Sequence, residues 1–179
     1  MTSLACSTLH LMVVLPTGHD MRRGEINDLP LLRAVAARFG GGPESHALWR
    51  FGEMGETNRI LVVHSVGRDV AAAWSRPRLY SSGTKGLRAK GPSERELFVG
   101  VLDSTHEGLG IGRYLLESII LTEEQENAAL RARREPHARV LLGNPACPWA
   151  ERRLKDLDFL PLHGNEDRVE NYQYRKVFR

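Results

Sequence analysis

The sequence is poor in cysteine. Cys6 and Cys147 are the only two in 179 residues. They form no CxxC pair, so neither a zinc site nor a dithiol redox motif is signalled. One disulfide between them stays open, with reduced thiols the favoured state. Long apolar runs are also missing. The run at residues 9–15 is short, has no basic segment before it and no small-residue cleavage site after it, and reads as a first strand rather than a signal peptide. Nothing approaches the ~20 apolar residues of a spanning helix. The expectation is a cytoplasmic protein with no membrane partner. Charge of one sign is nearly balanced, with 25 basic and 22 acidic residues and a net charge of +3. That gives no case for nucleic acid. The slight basic excess suits an anionic ligand or a solvated basic face.

What is present is ordinary globular material. A hydrophobic fraction of 41% beside 26% charged residues supplies a proper core. The length is that of one domain, expected to span residues 1–179. After the first strand, residues 16–27 read as a polar loop, and Asp28 is placed to cap the first helix. Leu31, Leu32, Val35 and Phe39 recur at helical spacing, with Pro30 tolerated in the first turn. Residues 40–43 stop that helix, and residues 46–51 read as either a second short helix or a loop. Residues 59–66 and 69–76 are β-rich around Gly67-Arg68, a hairpin signal.

Residues 77–93 form a basic, glycine-containing connection, expected to be loose. Arg78, Lys85, Arg88, Lys90 and Arg95 in or beside it are candidates for touching a ligand or for a solvated loop. A strand at 96–102 comes next, leading into the glycine turn and an apolar helix over 114–120. That helix either continues or restarts at Thr122. A strand at 139–142, a helix at 148–157 and closing strands at 159–162 and 172–178 complete the chain. The order predicts a mixed α/β (α+β) fold, a mostly antiparallel twisted sheet with flanking helices.

The most informative stretch is Glu107-Gly108-Leu109-Gly110-Ile111-Gly112-Arg113, between an apolar strand and an apolar helix. Alternating glycines let the backbone approach a ligand closely. The amides and dipole of a helix N-terminus suit a phosphate. The spacing is G-x-G-x-G, whereas a dinucleotide-binding Rossmann turn wants G-x-G-x-x-G early in the chain.

The stretch from Leu102 to Leu116 resembles the strand–turn–helix of the GNAT-type, acetyl-CoA-dependent N-acyltransferases. Ala150-Glu151-Arg152-Arg153-Leu154-Lys155-Asp156-Leu157-Asp158-Phe159 is similar to that family's later helix, which usually ends in Gly-Phe. The order of elements agrees over nearly the whole chain. The chain departs from the family pattern at Glu107, usually Arg or Gln; at Cys147, often Asn, with Asn144 three residues earlier; at Leu154, often a Tyr acid; and at Asp158, usually Gly. A carboxylate at 107 would repel a pyrophosphate, so its side chain is expected to turn away.

The resemblance implies acetyl-CoA as co-substrate, no metal, and a small-molecule or peptide amine as acceptor. It implies pantetheine between the strands at 96–102 and 139–142, against backbone groups of Val101, Leu102 and Ser104. It implies a pyrophosphate on the amides of Gly108, Leu109, Gly110, Ile111, Gly112 and Arg113. An alkylammonium with a pKa near ~10.4 must lose a proton before it can attack. Glu96, six residues before Leu102, matches the catalytic Glu of the family's histone-acetylating branch and is the candidate base. Tyr172 and Tyr174 are candidate acids, and alternation lets only one point inward. His64 and His106 are weaker candidates, each also explicable as structural. The implied activity is N-acetyl transfer to a primary amine by direct attack. The alternative is a degenerate relative of the same fold that binds acyl-CoA or a protein partner without turnover. A homodimer is left open.

Overall fold

The computed structural model describes residues 14–38, 59–77, 79–81, 87–89, 94–143, 145, 148–161 and 174–178. Seven strands form one sheet: β1 (His19–Arg23), β2 (Ile60–Ser65), β3 (Arg68–Pro77), β6 (Glu94–Val101), β7 (Val140–Gly143), β9 (Tyr174–Val177) and β8 (Leu160–Pro161), in that spatial order. β6 and β7 run parallel and every other pair is antiparallel. β4 (Leu79–Ser81) and β5 (Leu87–Ala89) make a separate two-stranded ribbon. The helices are α1 (Leu29–Arg38), α2 (Ile111–Ala132) and α3 (Pro148–Asp156). This is the mixed, mostly antiparallel architecture expected from the sequence. No helix among the described residues is long and apolar enough to cross a membrane.

Strand alternation divides the sheet residues between two cores. On one face Leu32 and Val35 of α1 pack on Ile60, Val62, Ala72 and Trp74. On the other, Ile111, Leu115 and Ile119 of α2 cover Leu61, Val63, Ala71, Ala73 and Val101. The same helix continues into a third cluster through Leu116 and Ile120, which meet Leu141, Leu154, Phe159 and Tyr174. α2 is one helix of 22 residues. Thr122 does not restart it: its hydroxyl donates back to the Ser118 carbonyl at 2.9 Å, inside the helix.

Two expectations need correction at the start of the chain. The polar segment read as a loop contains β1, which pairs with β2 from His19↔Ser65 to Arg23↔Leu61. An edge strand with one solvated face needs no apolar pattern, because the partner's backbone supplies the ladder. The first strand expected at 9–15 is not seen at Val14 and Leu15, which are not in a strand; residues 9–13 lie outside the described residues. Asp28 does anchor the approach to α1. It accepts from the Glu25 N–H at 2.7 Å and receives both Arg22 nitrogens at 2.8 and 2.7 Å. The Arg22 hydrogen bonds hold its carboxyl below the ordinary range.

The β2–β3 hairpin turns at Val66-Gly67, one residue earlier than expected, because Arg68 already pairs with Ser65. Both turn residues are left-handed, with φ of 45° and 78°. A two-residue turn of this hand matches the twist of the strands it joins. A β-branched residue at positive φ is strained, and here it makes no compensating contact, being 94% exposed.

The connection at 77–93 was expected to be loose, yet 79–81 and 87–89 pair as the β4–β5 ribbon. Of its five basic residues, Arg78, Lys85 and Lys90 lie outside the described residues. Arg95 is no surface ligand group. It is 2% exposed. Its Nε donates to Ser75 Oγ at 2.9 Å and its Nη2 to the Ser75 carbonyl at 2.8 Å. Glu123, wholly buried in α2, lies 3.3 Å from Arg95 Nε and also binds Arg59 and the Ser75 hydroxyl. One carboxylate is therefore shared between two guanidinium groups beneath the helix.

Removing that carboxylate takes a buried counter-charge away from Arg59 and Arg95. Glu123→Ala is expected to cost about 3–5 kcal/mol in urea unfolding. Val66→Asn is expected to act the other way, since Asn tolerates left-handed backbone. A gain near ~1 kcal/mol should raise Tm by about 2–4 °C, readable by circular dichroism, whereas Val66→Ile should give no gain.

Candidate active site

The site begins where β6 and β7 separate. Their ladder holds only for Glu94↔Val140, Arg95↔Leu141 and Glu96↔Leu142. β6 continues to Val101, while β7 ends at Gly143. Beyond Glu96 the outer edge of β6 has no strand partner among the described residues. On its inner edge β6 stays paired with β3 as far as Val101↔Ala71, and the Leu102 N–H donates to the Val70 carbonyl at 2.7 Å. Alternation in an antiparallel ladder then turns the Val101 backbone toward the open edge. There Arg38 Nη1 donates to the Val101 carbonyl at 3.1 Å. Of the two strand residues assigned to a ligand from sequence, Val101 faces the gap and the Leu102 amide is already bonded to β3.

At the end of β6 the chain makes a short helical turn over Ser104–His106, capped by Asp103, which accepts from the Thr105 N–H at 3.0 Å. His106 Nδ1 lies 2.8 Å and Arg68 Nη2 3.1 Å from the same carboxylate. The Thr105 hydroxyl first, then His106, draw the Asp103 pKa down to about 2. Gly108 and Gly110 follow at φ of 75° and 81°. A Cβ at Gly108, Gly110 or Gly112 would meet nothing within 4 Å, so the corner is open. α2 then starts without a side-chain cap and with no acidic residue in its first turn. Its ladder begins at the Tyr114 N–H, which donates to the Gly110 carbonyl at 3.0 Å. The preceding amides point out of the helix end, where its dipole is positive.

Side chains around the corner are directed elsewhere. Ile111 is fully buried in the core while Leu109 is 46% exposed. Arg113 Nε pairs with Glu117 at 3.1 Å. Glu107 is ion-paired with Arg38, so α1 supplies a cation that screens the carboxylate standing in the corner.

Glu96 is 3% exposed, on the α1 face. Its Oε2 accepts from Arg76 Nε at 2.9 Å. The Arg76 guanidinium also lies 4.8 Å from the Phe98 ring centroid. Phe98 stacks on Trp74 at 5.1 Å and 8°. Tyr174 lies on the opposite face, among the α2 and α3 side chains. Its hydroxyl donates to Glu151 at 2.6 Å, and Lys155 holds the same oxygen at 2.7 Å. The Glu151 hydrogen bond and then burial push the phenol up, and the Lys155 hydrogen bond pulls the Glu151 carboxyl down. Glu96 and Tyr174 are thus not brought together. Tyr172, Cys6, Cys147 and Asn144 lie outside the described residues. His64 is held by Asp69 at 3.1 Å and His106 by Asp103.

The departures at α3 have local explanations. Leu154 is 4% exposed and packs beneath the helix. A Cβ at Gly143 would lie 3.1 Å from it, so Gly143 makes room for this leucine. Asp158 has φ of 64°, and the Phe159 N–H reaches back to the Leu154 carbonyl at 3.0 Å. This is a left-handed helix stop, which explains the glycine usual there. Sequence reasoning missed Arg38, Arg76 and Trp74. The register of β3 against β6 would have paired Trp74 with Phe98 and Arg76 with Glu96. Nothing in the sequence joined Arg38 to a carbonyl 63 residues away.

The depressed Asp103 carboxyl gives a pH test. Its contribution to stability is complete above the unfolded value of 3.8 and is lost as pH falls through about 2. Asp103→Asn is expected to lose less stability than the wild-type protein between pH 5 and pH 2, measured by urea midpoints.

No protein-family model matches the sequence, and no curated protein matches it. Solved structures do. An acetyltransferase of the GNAT family from Streptococcus pneumoniae superposes with a TM-score of 0.57 at 14% identity, over 90% of this chain and 99% of that one. The Salmonella typhimurium protein yncA, solved with its cofactor acetyl-CoA, gives 0.54 at 14% identity, over 89% and 94%. A GCN5-related N-acetyltransferase from Sphaerobacter thermophilus gives 0.53 at 16% identity; the match covers 83% of this chain but only 45% of that longer one. The chain has the fold of the GNAT N-acetyltransferases.

Proposed function

We propose that this protein moves an acetyl group from acetyl-CoA to a primary amine by direct attack, with Glu96 as general base. The observation that carries the reading is the open, uncapped start of α2 behind two left-handed glycines, set at the end of a strand whose neighbour has left it. Acetyl-CoA fits that corner. Its pyrophosphate needs outward amides and no side chain in the way, and residues 108–113 supply both. The edge of β6 beyond Glu96, which has no strand partner among the described residues, suits the amides of pantetheine, with the Val101 carbonyl already held by Arg38; the bound thioester supplies an activated acetyl group.

The chain's own work is then on the acceptor. Glu96, on the α1 side, takes the proton from the acceptor's ammonium, directly or through one water, and the neutral amine so formed is the nucleophile. Arg76 holds that carboxylate in place against the Trp74–Phe98 stack. The fold resemblance supports the cofactor and the reaction class; the base is assigned from its place on β6. A non-catalytic acyl-CoA binder is the second reading. It is favoured by the burial of Leu154 at the usual acid position and by the Tyr174 hydroxyl bonding to Glu151.

Acetyl transfer to a panel of amines, followed by thiol release, separates the two readings. The wild-type protein is expected to turn over, and Glu96→Gln to lose roughly 10²–10⁴-fold in kcat while keeping its CoA-induced rise in Tm. Binding without transfer across the panel selects the second reading.

A further inference from the structure

We infer that Arg38 is a cofactor-specificity residue that changes partners. In the free protein its guanidinium occupies the open edge of β6; in the complex it turns to the diphosphate of acetyl-CoA and leaves that edge to pantetheine. The inference deepens the acetyl-transfer reading and rests on it. It begins from one side chain that touches both ends of the proposed cofactor site. Arg38, in the last turn of α1, donates from Nη1 to the Val101 carbonyl at 3.1 Å and pairs through Nη2 with Glu107. Val101 is on the strand edge assigned to pantetheine. Glu107 directly precedes the glycine corner assigned to the diphosphate. The place is open to solvent. The Arg38 and Glu107 side chains are 27% and 54% exposed, and a Cβ at Gly108 or Gly110 would meet nothing within 4 Å.

Each contact conflicts with a bound cofactor in its own way. A pantetheine N–H that bonds to the Val101 carbonyl competes with a guanidinium already on it. A diphosphate on the α2 amides brings further negative charge beside Glu107. One movement of Arg38 resolves both. An exposed ion pair such as Arg38–Glu107 is weak, whereas a guanidinium binds phosphate oxygens through two charge-assisted hydrogen bonds at once. Exchange of Glu107 for phosphate is therefore favourable, and a carboxylate half in water is easily left behind. The other guanidinium groups around the corner are held by more sheltered carboxylates. Asp103 holds Arg68 and is 33% exposed; Glu117 holds Arg113 and is 21% exposed. Arg38 thus couples the two halves of the cofactor. A diphosphate draws the guanidinium away and clears the strand edge, while a neutral thiol arm alone meets an occupied one.

CoA and pantetheine, which is neutral, separate the two states of Arg38. Arg38→Met keeps a long side chain and removes its donors and charge. The variant's Kd for CoA is expected to rise about tenfold, as for one lost charge-assisted hydrogen bond. Its Kd for pantetheine is expected to fall about threefold, because the competitor for the Val101 carbonyl is gone. A variant that had merely lost structure would bind both more weakly. In the unmodified protein, the Arg38 Nε–H resonance, assigned through its bonds to the Arg38 backbone amide, is expected to move on addition of CoA. Changes of the same sign for the two ligands, an unchanged Kd for CoA, or an Nε–H resonance unmoved at saturating CoA would overturn the inference and leave the acetyl-transfer reading standing. An unmodified protein that binds neither ligand would remove that reading, and the inference with it.

Discussion

The structure turns on a ladder that stops early. β6 and β7 share only three residue pairs, Glu94↔Val140 to Glu96↔Leu142, although β6 runs on to Val101. Ending it exposes backbone groups along β6 that a folded protein does not leave idle. At Val101 a guanidinium from α1 reaches across to the carbonyl. The same separation puts the end of β6 at a corner from which α2 departs with its amides outward. Both features that support the acyl-CoA reading, a strand edge without a strand partner among the described residues and a helix start without a side-chain cap, sit beside that break in pairing.

Keeping the break open requires rigid walls. α2 supplies one, fixed by Ile111, Leu115 and Ile119 on one core and by Leu116 and Ile120 on another. Beneath its middle, Glu123 gathers Arg59, Arg95 and Ser75 into a polar knot joining helix, β3 and β6. On the other face, Arg76 and Glu96 link β3 to β6 just where β7 diverges. The buried charges are thus concentrated at the point of divergence, while apolar residues hold the strands on either side of it.

The strand–turn–helix around Gly110 was legible because its chemistry is local: glycines at positive φ, an apolar strand before and an apolar helix after. The β2–β3 hairpin was legible for the same reason, displaced by one residue because Val66 takes a conformation that sequence would give to Asn or Gly. The edge strand β1 was not legible, since its residues are polar and its order comes from β2. Arg95 looked like a surface cation because composition cannot see a carboxylate arriving from a helix 28 residues later. Glu96 was singled out by its spacing from Leu102, whereas Arg76, Trp74 and Arg38 come to this part of the fold only through pairing and packing. Tyr174 was placed near the right strands, yet alternation turned it toward α3 and Glu151.

The central claim is that main-chain amides at the start of α2 hold the diphosphate of coenzyme A. It is tested most directly by following backbone amide resonances during a CoA titration. The largest shifts are expected at Gly110, Ile111, Gly112 and Arg113, with Val101 moving too and the distant β1 edge unmoved. Saturating CoA that leaves these amides in place, or shifts another region instead, would contradict it.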